Sequence, residues 1–134
     1  MYQIDTANNR LKGLKKIKFS DYGLKERQHL QEWLANEPKV FGEELLIIQK
    51  EVSGFSDTNE RLDLLALDKF GNIVVIENKL DDSGRNVTWQ ALKYASYCAT
   101  LNKENIKNIF QDYLSKQGQN QDATNILSEF FDLL

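Results

Sequence analysis

An apolar run that ends in two charged groups places the strongest constraint on how this chain folds. Residues 73–76 read Ile-Val-Val-Ile, and Glu77 and Lys79 follow almost at once. The earlier segments "ELLIIQKEV" and "RLDLLALD" are similarly apolar, so the chain is predicted to contain three consecutive strands. Strands that are apolar almost throughout are usually covered on both faces of their sheet. Helices are therefore expected on both sides.

The spacing of apolar residues elsewhere supplies those helices. Helices are predicted at residues 25–36, 85–101, 103–116 and 122–134, and Pro38 ends the first of them. A small hairpin of "YQID" with "LKGLKKI" is expected at the N-terminus. The order helix, three strands, helices predicts a single α/β domain over the whole chain, with a small mixed sheet flanked by helices.

Composition excludes several classes of protein. The 134 residues carry a net charge of -3, which gives no global attraction to nucleic acid. With one cysteine, Cys98, and one histidine, His29, the chain has no intrachain disulfide, no cysteine cage and no histidine-rich zinc site. No apolar run is long enough to span a membrane, and the first ten residues lack a signal-peptide core. A cytoplasmic protein without a membrane partner is expected.

The last residues, "ILSEFFDLL", form an apolar amphipathic segment. Three interpretations stay open for it. The segment packs on its own domain, forms a homodimer face as a C-terminal helix, or marks the point where a longer protein continues beyond this N-terminal part.

The turn "DKFGN" predicts how the second and third strands pair. A type I turn with Gly71 in the left-handed position pairs Asp68 with Asn72. Counting back along both strands then pairs Asp63 with Glu77. Two carboxylates directly opposite each other are destabilising, so a neutralising cation is expected between them.

Oxygen ligands without histidine or cysteine favour Mg²⁺ or Mn²⁺ over zinc. Asp63 and Glu77 are the predicted metal ligands, aided by the carbonyl of residue 78. A bound cation makes water more acidic, and Lys79 would position that water or offset negative charge on a phosphate. Because side chains alternate along a strand, Asn78 should point away, and position 78 is expected to tolerate variation.

Asp63, followed after a hairpin by Glu77-Asn78-Lys79, resembles the motif of the PD-(D/E)XK nuclease superfamily, with Leu62 in place of the proline. The stretch "LDLLALDKFGNIVVIENKLDDSGRNVTWQALKYAS" looks like NucS-type endonucleases and related uncharacterised bacterial nuclease-like domains. The similarity spans roughly residues 25–101. It implies a restriction-endonuclease-like fold and metal-dependent hydrolysis of phosphodiester bonds, with DNA as the expected substrate.

The resemblance also implies further site residues. A glutamine on the helix after the hairpin joins the site in that family, and Gln90 matches it. Tyr94, one turn further, is expected to line the same groove. The family usually supplies a glutamate from the first helix, and Glu26 is chosen because it lies four residues before the apolar Leu30. The predicted catalytic set is Asp63, Glu77, Lys79, Gln90 and Glu26.

Several basic residues are candidates for contacts with a phosphate backbone. Together with Tyr94, they form the predicted nucleic-acid-binding set: Lys12, Lys15, Lys16, Arg85 and Lys93. For the N-terminal lysines, a solvated basic strand is an open alternative. For the acidic pair and its lysine, the alternative is a structural ion-pair network. The alternative function is a catalytically inactive nuclease-fold module that binds nucleic acid or a protein partner.

Overall fold

The computed structural model describes residues 1–53, 61–80 and 86–133. These residues form an α/β structure with two small antiparallel sheets and four α-helices. The strands are β1 (Tyr2–Asp5), β2 (Arg10–Gly13), β3 (Leu45–Val52), β4 (Leu62–Asp68) and β5 (Ile73–Ile76). The helices are α1 (Gln31–Asn36), α2 (Val87–Cys98), α3 (Lys103–Lys116) and α4 (Ala123–Phe130). Two 3₁₀ turns, Phe19–Tyr22 and Pro38–Phe41, and one wider π-helical turn, Glu26–Leu30, lie before and after α1.

The central sheet has the strand order β3-β4-β5, and both of its pairings are antiparallel. The prediction of a mixed sheet is therefore wrong for the described residues. A parallel pair needs a crossover of about a dozen residues or more, and the β4–β5 link is only a tight turn. The expected three strands and their order along the chain are confirmed.

Both faces of this sheet are covered, as the apolar strands predicted. One face carries Leu65, Leu67 and Ile48 against residues of α2, α3 and α4, including Tyr94 and Phe110. The other face packs against α1 and the turn after it, through this set: Leu45, Ile47, Leu64, Ala66, Ile76, Leu34, Ala35 and Phe41. The sheet thus lies between one short helix and a layer of three.

The β4–β5 turn confirms the predicted register. Gly71 has a φ of 82°, and the backbone N–H of Asp68 donates to the carbonyl of Asn72 over 3.0 Å. The side chain of Asp68 accepts hydrogen bonds from the backbone N–H groups of Phe70 and Asn72, both at 2.8 Å. Local turn chemistry therefore sets which residues face each other at the far end of the hairpin.

Replacing Gly71 with alanine is expected to destabilise the chain by about 1–2 kcal/mol, because an L-residue is disfavoured in the left-handed region. Thermal denaturation followed by circular dichroism measures the change. Gly13→Ala is the matched control, since a Cβ at Gly13 would meet Tyr2 only at an ordinary distance of 3.7 Å. Equal stability losses in the two variants would contradict the proposed role of the turn.

The N-terminal hairpin forms as predicted, but it is shorter. Tyr2 pairs with Gly13 and Asp5 pairs with Arg10, and almost every residue of this ribbon is exposed. The basic residues that follow Gly13 lie outside the strand. The ribbon contributes no side chain to the buried core, so the central sheet and its helices organise the rest of the molecule.

The C-terminal helix serves the core of its own chain. Asp122 caps α4 by accepting hydrogen bonds from the backbone N–H groups of Thr124 and Asn125. Its apolar side chains pack against the core face shared with α2 and α3, namely Ala123, Ile126, Leu127 and Phe130. The helix ends at Phe130 rather than at Leu134 as predicted. The apolar face of this helix is already used within the chain. A homodimer through this helix stays a prediction.

None of the helices formed by the described residues combines the length and the apolar character needed to cross a membrane.

Candidate active site at the open end of the central hairpin

Asp63 and Glu77 meet at the end of the hairpin opposite the turn. The ladder pairs Leu64 with Ile76, so the same register brings residue 63 opposite residue 77 just beyond the last strand pair. Strand β5 ends at Ile76, and Glu77 lies where the chain leaves the sheet. Both acids are buried: Asp63 is 7% exposed and the Glu77 side chain 6%.

Backbone hydrogen bonds hold the acidic residues in place. One carboxylate oxygen of Asp63 accepts from the backbone N–H of Asn78 over 2.8 Å. Glu26, at the start of the helical turn before α1, accepts from the backbone N–H of Leu80 over 3.1 Å. The first helix and the exit of β5 are thus joined directly, and the predicted choice of Glu26 places it beside the motif residues.

Lys79 lies between the carboxylates. Its Nζ donates to Glu77 Oε1 over 3.1 Å and lies 3.7 Å from Glu26 Oε1. The second oxygen of Glu77, Oε2, is buried and has no hydrogen-bond partner among the described residues. Buried polar atoms are normally paired, so this oxygen is free to accept another ligand.

Burial and mutual repulsion perturb the charges of this cluster. Desolvation raises the pKa of Asp63, and the hydrogen bond from Asn78 opposes part of that rise. Desolvation and then the charge of Asp63 raise the pKa of Glu77. For Lys79, burial lowers the pKa, but the hydrogen bond and charge of Glu77, followed by Glu26 and Asp63, raise it overall. Lys79 is therefore a lasting positive charge and not a proton acceptor near neutral pH.

Position 78 was expected to tolerate variation, but the surroundings of Asn78 do not agree with that expectation. Its side chain does not share the hydrogen bonding of its neighbours, yet the residue is buried and Nδ2 has no partner among the described residues. Substitution at this position would disturb packing next to the cluster. Alternation along a strand predicts the direction in which a side chain points, but it does not predict how closely other residues cover that face of the sheet.

The structure places Gln90 on α2, which packs against β5. Gln90 lines a shallow pocket of about 390 Å³ with Asn86, Trp89 and Lys93. Among the described residues it makes no hydrogen bond to Asp63, Glu77 or Lys79. Gln90 is thus on the neighbouring element rather than within the cluster, and its catalytic role stays a prediction.

Tyr94 does not fit its predicted role. It is 1% exposed and packs in the core between the sheet and the layer of α2, α3 and α4. A side chain enclosed in this way cannot contact nucleic acid in this conformation. The helical spacing that suggested a groove position is equally the spacing of a core face.

The remaining predicted nucleic-acid contacts are spread over the surface. Lys12, Lys15 and Lys16 are exposed on and after β2, without an ion pair to the acidic cluster in the described part of the chain. Lys93 is half-buried beside Gln90. Arg85 lies outside the described residues.

Two charged residues at the site escaped sequence analysis. Arg27 contributes a favourable charge to Asp63 and forms an ion pair with Glu51 over 3.1 Å. Glu51 also lies 3.3 Å from Arg61. Glu51 lies within β3 and adopts a φ of 51°, which is unusual for a residue other than glycine. The one sign of this arrangement in the sequence is that Arg27 directly follows Glu26.

The donor set agrees with a hard divalent cation such as Mg²⁺ or Mn²⁺. Asp63 and Glu77 offer carboxylate oxygens, one of them unpaired, and the three acids outnumber the single lysine among them. No group of three or more histidine, cysteine, aspartate or glutamate side chains converges to hold a metal within residues 1–53, 61–80 and 86–133. Mg²⁺ commonly uses one or two carboxylates and completes its shell with water or phosphate oxygens, which this pair would permit.

Comparisons with known proteins give no relative from which to transfer a role. No protein-family model matches the chain, and neither a curated protein nor a solved structure is significantly similar to it.

Proposed function

We propose that this chain is a divalent-metal-dependent phosphodiester hydrolase with a restriction-endonuclease-like fold and DNA as its substrate. The observation that carries the proposal is the cluster of Asp63, Glu77 and Lys79 at the end of the hairpin. Two buried carboxylates repel each other there, one of their oxygens is unpaired, and a charged amine lies beside them. Perturbed acids next to a fixed cation are typical of hydrolytic sites.

Each residue has a distinct role in this proposal. Asp63 and Glu77 hold Mg²⁺ or Mn²⁺, which, when bound, lowers the pKa of a water molecule and offsets charge on the phosphate. Lys79 stays protonated and stabilises negative charge that builds up on the phosphate oxygens. Glu26 holds the amine of Lys79 in position and ties the exit of β5 to the first helix.

A purely structural ion-pair network explains this cluster less well. A network selected for stability would satisfy both oxygens of a buried carboxylate, since an unpaired buried acceptor costs free energy. Glu77 Oε2 lacks such a partner among the described residues. The excess of acid over base around Lys79 leaves negative charge that favours a cation.

The proposal is tested first by titrating the chain with MnCl₂ in a calorimeter. The parent is expected to bind Mn²⁺, and Asp63→Asn is expected to bind it at least about tenfold more weakly, since a direct ligand matters no less than its supporting groups. Asp112→Asn is the matched control, because Asp112 is exposed and makes no side-chain hydrogen bond within the described residues. It should bind as the parent does.

No Mn²⁺ binding by the parent at millimolar concentration would overturn the metal site. Equal binding by the parent and Asp63→Asn would move the site elsewhere. Binding that depends on Asp63, but without cleavage of any DNA or RNA substrate in a panel, would favour the inactive nuclease-fold module.

A further inference from the structure

A cavity lined by described residues lies apart from the acidic cluster, since none of Asp63, Glu77 and Lys79 lines it. It has a volume of about 830 Å³ and is open on one side. Strand β3 is one of the two edge strands of the central sheet, and the cavity lies between this strand, α1, the end of α2 and α3. Its size is typical of a small-molecule pocket, in which most of a ligand would be enclosed.

Gln31 supplies a buried polar group to this cavity. The residue is 1% exposed, lines the cavity, and its Oε1 has no hydrogen-bond partner among the described residues. An unpaired buried acceptor is unfavourable, so an N–H donor from a ligand would relieve it. The amide also carries donors, which suits a ligand that presents donor and acceptor groups on one edge.

Apart from Lys116 at the rim, the charged side chains that line the cavity are paired with opposite charges. Lys50 Nζ donates to both carboxylate oxygens of Glu32 at 2.9 Å. Glu51 is paired with Arg27 and with Arg61. The interior therefore suits an uncharged polar group, since an ionic ligand would have to break one of these pairs.

The walls and the rim complete this chemistry. Tyr97 and Tyr113 line the cavity with aromatic rings, which suits a flat ring system. Lys116 lies at its exposed edge, and it has no ion pair within the described residues. An uncharged planar ring inside and a cation outside match a nucleobase that carries a phosphate.

We propose that this cavity binds one nucleobase of a nucleotide, with Gln31 accepting from the base and Lys116 facing the phosphate. The proposal rests on the proposed function, because it assigns to the same protein the place where its substrate is held. The Arg27–Glu51 ion pair connects the two places: Glu51 lines the cavity, and Arg27 acts on Asp63.

The test is a titration of the full chain with AMP in EDTA, followed by amide chemical shifts in NMR spectra. AMP is expected to bind, whereas inorganic phosphate at equal concentration is not. Gln31→Met keeps the length of the side chain but removes its acceptor, so AMP affinity should fall about tenfold. Gln28→Met is the matched control on the same helical segment, where the side chain is exposed, and it should leave AMP affinity unchanged.

A second variant keeps the test decisive if Gln31→Met fails to fold. Lys116→Ala should weaken AMP binding several-fold toward that of adenosine, while adenosine binding stays the same. The proposal is overturned if AMP does not bind at millimolar concentration, if phosphate binds as well as AMP, or if both variants bind AMP as the parent does.

The same titration separates this inference from the proposed function. AMP is titrated in EDTA, which removes any contribution of a metal ion to AMP binding. AMP binding that is lost in Gln31→Met, in a chain that binds no Mn²⁺, would leave the cavity assigned and the hydrolase rejected. Mn²⁺ binding without AMP binding would leave the metal site assigned and the nucleobase cavity rejected.

Discussion

Replacing Lys79 with methionine is expected to lower Mn²⁺-dependent DNA cleavage roughly 100- to 1,000-fold, the usual cost of removing one preorganised charge or donor from a reacting phosphate or oxyanion. The reason is that Lys79 holds its proton: the charges of Glu77, Glu26 and Asp63 raise its pKa overall, against the effect of burial. Its amine therefore supplies positive charge near neutral pH. Methionine keeps most of the side-chain volume and removes that charge.

Cleavage of a labelled duplex and of a labelled single strand measures this loss, with Mn²⁺ at saturation. In Lys79→Met, Glu77 and Glu26 lose their cationic partner, which changes the affinity of the site for Mn²⁺. Saturating Mn²⁺ keeps this change from affecting the measured rate. Lys39→Met is the control, since Lys39 is exposed and its side chain has no partner among the described residues. Equal cleavage by the parent and Lys79→Met would show that the measured nuclease is a contaminant or that Lys79 has no catalytic part.

Asp63→Asn is expected to produce opposite changes in stability with and without metal. In EDTA at neutral pH, the variant should be more stable than the parent by about 0.5–1 kcal/mol, the scale of a like-charge pair removed from adjacent strands. The amide oxygen of asparagine still accepts the hydrogen bond from the backbone N–H of Asn78. Mn²⁺ at 100 times the parent's dissociation constant should stabilise the parent by about 2.7 kcal/mol, and the variant, which binds at least about tenfold more weakly, by no more than about 1.4 kcal/mol.

The pH dependence of this gain follows from the direction of the pKa shift. Burial raises the pKa of Asp63 in the folded chain above its ordinary value of 3.8. Between the unfolded and the folded pKa, the folded state binds more protons, so the free energy of unfolding falls as pH rises through this interval. The destabilisation by the buried Asp63 carboxylate is absent below the pKa that Asp63 has in the unfolded chain, and it is complete above its pKa in the folded chain. The advantage of Asp63→Asn should therefore be present at neutral pH and disappear in acid.

Thermal unfolding by calorimetry, in EDTA and in MnCl₂ at several pH values, tests these expectations together. The expected order of stability at neutral pH is the parent with Mn²⁺, then Asp63→Asn, then the parent in EDTA. If Asp63→Asn were less stable than the parent in EDTA, the Asp63 carboxylate would be stabilising. The cluster would then be the structural ion-pair network and not a metal site.

Local sequence predicted the elements whose geometry depends on neighbouring residues. The turn around Gly71 set the pairing of β4 and β5, because only one left-handed position fits so short a loop. From that pairing came the meeting of Asp63 and Glu77. The sheet type was predicted wrongly, although the tight turn between β4 and β5 is too short for the crossover that a parallel pair needs.

Burial of single side chains was the least predictable part of the site. Gln90 and Tyr94 follow the same helical period, yet Tyr94 is enclosed in the core and Gln90 lines a shallow surface pocket. Trp89 is 73% exposed, although a tryptophan in such a helix more often packs inside. Which face of α2 turns inward depends on α3 and α4, and their positions are not encoded within α2.

The sequence by itself determined the three apolar strands, the register of the central hairpin and the convergence of two acids with a lysine at its end. These features follow from residues that are close in the chain, so turn geometry and alternation are enough to derive them. Only the tertiary structure decided that Glu26 reaches Leu80, that one oxygen of Glu77 is buried without a partner, and that Gln31 lines a cavity at the edge of β3. Those features depend on the packing of segments that lie far apart in the chain, and no local pattern specifies the distances between them.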